Sequence, residues 1–138
     1  MKLGKIVLAG VAVMVFNIIV GMVTCGGIFS WVYKLEPTNV WKPMGNNGPG
    51  AVYMIAGLLL SIVLSFVYAL INKGIPGANK YVKGIVFGLC IFAAGMLPGM
   101  VDTYTFMTVA TTTVIYWMVL GLIKAPIIGM IIAAIYGE

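Results

Sequence analysis

The chain contains no arginine and no histidine in 138 residues, and only three acids, Glu36, Asp102 and Glu138. Without histidine it lacks the commonest metal ligand and the usual acid–base group near neutral pH. Without arginine it lacks the planar fork that clamps phosphates and carboxylates. The three scattered carboxylates offer no pair for general acid–base work, so no catalytic residue, metal site or cofactor site is expected. Charged side chains make up 8% of the chain, against about 25% in soluble domains. That scarcity excludes an ordinary water-soluble core.

Two cysteines, Cys25 and Cys90, permit at most one bridge. Cys25 lies near the far end of the first apolar run. Cys90 lies about a third of the way into the third run, entered from the opposite side. At about 1.5 Å of rise per residue their depths differ by more than the roughly 7 Å that a disulfide tolerates. Both are read as reduced packing residues.

What the sequence does contain is apolar length. Four runs, at about 6–32, 51–71, 82–101 and 106–136, each reach the roughly 20 residues needed to cross about 30 Å of hydrocarbon. The expected fold is all-α: one integral-membrane domain over residues 1–138, a four-transmembrane-helix bundle of up-down topology. The first run exceeds the roughly 7–15 apolar residues of a signal-peptide core, so it is read as a retained helix.

Lysine supplies all eight cations. Lys2, Lys5, Lys73, Lys80 and Lys83 fall on one side of the layout, and Lys34 and Lys42 on the other. The imbalance places both termini in the cytoplasm, and in a bacterium that means the inner membrane. The lysines are dispersed, whereas a nucleic-acid footprint needs a clustered basic face, so no nucleic-acid partner is expected. The first loop carries Trp31, Tyr33, Trp41 and Tyr53, an expected aromatic belt at the outer interface. Pro37 is a candidate start of a short interfacial helix, and residues 45–50 read as a flexible turn. Residues 98–104 read as the third loop.

Inside lipid, helices associate through close contact allowed by small residues. Gly84, Gly88, Gly95 and Gly99 fall within about 60° of one face of the third helix at 100° per residue. Gly57, Ser61, Ser65 and Ala69 recur at steps of four in the second. Gly121, Ala125, Gly129 and Ala133 do so in the fourth. These residues are the candidate packing and assembly positions.

Three polar features lie within the runs. Asn17 sits near mid-depth of the first, and its amide needs partners there. Thr111 and Thr112 belong to a threonine cluster, residues 108–113, at the start of the fourth. Lys124 is submerged if the fourth helix is long, tilted and kinked at Pro126. A central lysine costs at least about 2.5–3.5 kcal/mol on insertion scales. Asn17, Lys124, Thr111 and Thr112 form the candidate intramembrane polar site.

Pro98-Gly99-Met100, Tyr104-Thr105-Phe106-Met107, Tyr116-Trp117 and the closing Ala133-Ala134-Ile135-Tyr136-Gly137 form a pattern. Phe29-Ser30-Trp31-Val32-Tyr33 and Trp41 precede it. The pattern resembles a group of small bacterial four-helix membrane proteins of unknown function. The resemblance implies four spans and no activity.

The functional expectation is a non-enzymatic structural or accessory component of the bilayer. It would form a homo-oligomer or join a larger membrane complex as a partner subunit. The alternative is a small oligomeric transporter or channel, with a pathway near Lys124, Asn17 and the threonine cluster.

Overall fold

The computed structural model describes residues 2–42 and 50–137. It is all-helical over those residues, with no strand. Four helices are long and apolar enough to cross a membrane: α1 (Leu3–Ile28), α2 (Ala51–Ile71), α3 (Lys80–Phe106) and α4 (Thr111–Tyr136). A 3-10 turn, Ser30–Lys34, follows α1.

Local chemistry sets the helix ends. The Asn79 side chain accepts the Val82 N–H at 3.0 Å, satisfying one of the orphan donors at the start of α3. Gly137 ends α4 at φ +83°, a left-handed cap that glycine adopts without steric cost. The second loop is drawn in by Lys83, whose ammonium donates to the Asn72 carbonyl at 3.3 Å.

The fourth helix, expected from 106, begins instead at Thr111. The third, expected to end near 101, runs to Phe106, so most of the stretch read as a loop at 98–104 is helical. The reason lies just upstream. Residues Phe92–Met96 form a π turn, and the Leu97 N–H reaches back five residues to the Phe92 carbonyl. A widened turn relieves the clash that a proline ring makes with the carbonyl four residues back, so Pro98 is carried within the helix. The reversal falls on Met107–Ala110, where Met107 and Ala110 adopt extended backbone. Pro126 likewise lies inside α4 without breaking it. Pro37 starts no helix, because the chain has already turned through Ser30–Lys34. The turn at 45–49 lies outside the described residues.

Neighbouring helices run antiparallel. In α1 and α2, Gly10 lies against Ile62 and Gly57 against Met14. In α3 and α4, Gly84 lies against Gly129 and Gly88 against Ala125. Between α1 and α4, the Lys5 ammonium donates to the Tyr136 carbonyl at one end, while Cys25 meets Tyr116 at the other. The largest buried cluster joins all four helices at the end nearest the second loop. It contains Ile6, Ala9, Val13, Tyr68, Phe87, Ile132 and Tyr136. There Tyr68 stacks edge-on against both Phe87 and Tyr136. At the opposite end the outer turns of α2 and α3 are mostly exposed.

Candidate functional site

The small residues sort into two kinds. Gly84, Gly88 and Gly129 lie where backbone meets backbone. A Cβ on Gly84 would stand 2.5 Å from the Gly129 carbonyl oxygen, and one on Gly88 would stand 2.8 Å from the Pro126 Cα. Gly129 in turn faces the Gly84 carbonyl. Gly121 receives the thioether of Met96, which the π turn of α3 carries toward it. Gly57 receives Met14, and Gly10 lies against the Ile62 backbone. Ser61 and Ser65 are buried and donate their hydroxyls to the carbonyls of Gly57 and Ser61 at 2.7 and 2.9 Å. This back-bonding satisfies each hydroxyl within its own helix. Ala133 is fully buried and Ala125 partly so. Gly95 and Gly99 are the other kind: nothing stands within 4 Å of where their Cβ would be.

The four residues of the expected polar site are not gathered into one cluster. Thr111 and Thr112 are exposed, whereas Thr113 is fully buried and donates to the Val32 carbonyl at 3.1 Å. Asn17 is partly buried and makes no hydrogen bond among the described residues. Lys124 is partly buried and makes no ion pair or hydrogen bond among them either. These two share a level. The register that sets Lys5 against Tyr136 and Cys25 against Tyr116 also sets Asn17 opposite Lys124.

A second polar cluster was not anticipated. The end of α1 opens into a π turn, Thr24–Ile28, which carries Cys25. The Ser30–Lys34 turn then folds Tyr33 back onto it. The Tyr33 hydroxyl donates to the Cys25 sulfur at 3.3 Å and accepts the Trp117 indole N–H at 2.8 Å. The Tyr116 hydroxyl lies 3.5 Å from the same sulfur. Around this chain Tyr33, Trp41 and Trp117 pack mutually edge-on or tilted, and Phe29 tilts over Tyr116. The Trp41 indole nitrogen is buried with no hydrogen-bond partner. Burial, reinforced by the Cys25 thiol, pushes the Tyr33 phenol above the usual phenol range.

Two of the residues expected in a lipid-facing belt, Tyr33 and Trp41, are therefore internal partners, while Trp31 and Tyr53 remain exposed. The sequence signal for this cluster was weak. Thr113 and Trp117 share a face of α4, but their partners arrive only because a five-residue turn reverses the chain after α1. Chemically the cluster is a clasp. Its thiol and hydroxyls are spent on each other, tying the end of α1 and the following turn to α4.

Both cysteines are unpaired. No group of three His, Cys, Asp or Glu stands together among the described residues. An apolar cavity of about 330 Å³ opens between the end of α2, the second loop and α3, lined by Ile75, Val86, Phe87 and Cys90 among others. No family model matches the chain, and no curated protein or solved structure is similar to it.

Proposed function

We propose that this chain is a multi-pass protein of the bacterial inner membrane, an up-down four-helix bundle with both termini in the cytoplasm. In this reading it carries out no reaction. It acts as a structural or accessory component that self-associates or docks in a larger membrane complex.

The observation that carries the reading is the division of the α3 glycine stripe. Its first half, Gly84 and Gly88, is consumed by α4 within the chain. Its second half, Gly95 and Gly99, continues on nearly the same face and meets nothing. In lipid, close approach of backbones is a main source of helix association, and a bare pair of this kind leaves such contact unused.

The test is a detergent-corrected particle mass. The reading expects a multiple of 14.7 kDa, falling to a single chain when Gly95 and Gly99 are both changed to Leu. A strict monomer for the unaltered chain, with no partner retained in its native membrane, refutes it.

One observation favours a second reading, a small oligomeric transporter or channel. Lys124 and Asn17 occupy one level of the α1–α4 pair, and each retains unfilled hydrogen-bonding capacity. Under that reading Lys124→Leu abolishes flux in proteoliposomes while the protein stays folded.

A further inference from the structure

Lys124 lies near the middle of α4, about 20 Å of helix from Thr111 and about 18 Å from Tyr136. Both distances exceed the reach of a snorkelling lysine side chain. A lipid phosphate at either surface is therefore too far away to neutralise it. At 100° per residue Lys124 falls within about 20° of both Thr113 and Trp117. Those two residues bond to Val32 and Tyr33, so Lys124 occupies the flank of α4 turned toward α1. Beside it the exposed surface is aliphatic, with Val119, Leu122 and Ile123 on α4 and Ile19 on α1.

The chain supplies no counter-charge at this depth. The register that sets Gly84 against Gly129 and Gly88 against Ala125 carries Asp102 to the level of Thr111, about 20 Å along the axis. Glu36 follows the 3-10 turn and accepts the Thr38 N–H at 3.1 Å. Glu138 follows the end of α4 in the sequence. Cys25 is the one titratable group in electrostatic range of Lys124 among the described residues. A neutral thiol held by the Tyr33 hydroxyl offers it no charge. A second copy of the chain cannot answer the need, because its acids stand at the same unsuitable levels.

We propose that the α1–α4 flank at Lys124 seats a transmembrane helix of a different protein, one carrying an aspartate or glutamate near the centre of its span. This rests on the docking reading given above and names the chemistry of the partner. Ammonium and carboxylate neutralise each other where neither is otherwise solvated, and the level Asn17 amide offers further donors beside them. The aliphatic side chains around Lys124 supply the lipid-excluding contact.

The full chain is reconstituted with a synthetic membrane-spanning Leu/Ala peptide bearing one central Asp, and association is read by energy transfer between fluorophores. Peptides with Asn or Leu in place of the Asp serve as comparisons. The Asp peptide is expected to associate about tenfold more tightly than the Leu peptide. Lys124→Met removes that preference, Lys124→Arg keeps it, and Lys124→Asp transfers it to a peptide with a central Lys. Equal association of the Asp and Leu peptides with the unaltered chain overturns the proposal. So does an Asp preference that survives Lys124→Met. A particle mass above one chain, together with equal peptide association, overturns the Lys124 seat alone and leaves the assembly reading standing. A single-chain mass with the Asp preference intact supports the seat and removes self-association.

Discussion

The α3–α4 seam makes a sharp prediction about single methyl groups. Gly88→Ala places a Cβ against the Ala125 carbonyl and 2.8 Å from the Pro126 Cα. Both neighbours are backbone, so no side chain can swing away to make room. Ordinary contact begins near 3.4 Å, and relief therefore requires α3 and α4 to part by more than half an ångström at that point. The same parting loosens Gly84 against Gly129, where a carbonyl sits as close, and lowers the dispersion contact along the seam. Overpacking of this sort costs about 1–3 kcal/mol. The gain in helix propensity from Gly to Ala returns about 1 kcal/mol or less. The expected net is a loss of about 1–2 kcal/mol. Gly21→Ala is the matched control, since nothing lies within 4 Å of its Cβ position. It keeps the propensity gain and is expected to be neutral or stabilising by up to about 1 kcal/mol. Reversible unfolding in mixed detergent micelles measures both variants. The reasoning is refuted if Gly88→Ala is at least as stable as Gly21→Ala, because the seam would then have slack that the backbone distances deny.

Three further outcomes follow from the clasp and the layout. Thr113→Val keeps shape but strands the buried Val32 carbonyl, and the same unfolding assay should register a loss of about 1–3 kcal/mol. Because burial raises the Tyr33 phenol, the unfolded chain releases that proton before the folded one as pH climbs above about 10. Stability contributed there is complete below that pH and declines above it. Tyr33→Phe should flatten the alkaline decline while costing about 1–3 kcal/mol at neutral pH from the abandoned Trp117 N–H. Lys34 and Lys73 are both exposed, and a membrane-impermeant amine reagent on sealed vesicles should reach only one of them from a given side. Labelling of both from one side would sink the four-span topology.

Four long helices, and the bounds of α2, were legible because apolar length against a fixed hydrocarbon thickness is a strong constraint. Phased glycines were legible as packing positions, since 100° per residue puts them on one face. Their assignments were not: one sequence does not say that Gly88 meets Ala125 while Gly95 meets nothing. Pro98 and Gly99 looked like a loop because a proline–glycine pair ordinarily ends a helix. The π turn at Phe92–Met96 that admits the proline leaves no mark in composition. The clasp was hidden for a related reason. Tyr33 and Trp41 have the same amphipathic character whether they face headgroups or each other, and only the turn at Ser30–Lys34 decides between them. Lys124 stood out by charge alone, but its lack of a carboxylate at the same level needed the register of both helix pairs.

The first and last helices are neighbours along their whole length, from Lys5 at Tyr136 to Cys25 at Tyr116. During biosynthesis α1 therefore enters the bilayer with one of its two companions still unmade. Until translation delivers α4, its Ala9 and Val13 face acyl chains, and Cys25 has no Tyr116 to meet. Two preformed hairpins must then find each other sideways in the membrane, so maturation is a docking event that a truncation removing α4 abolishes.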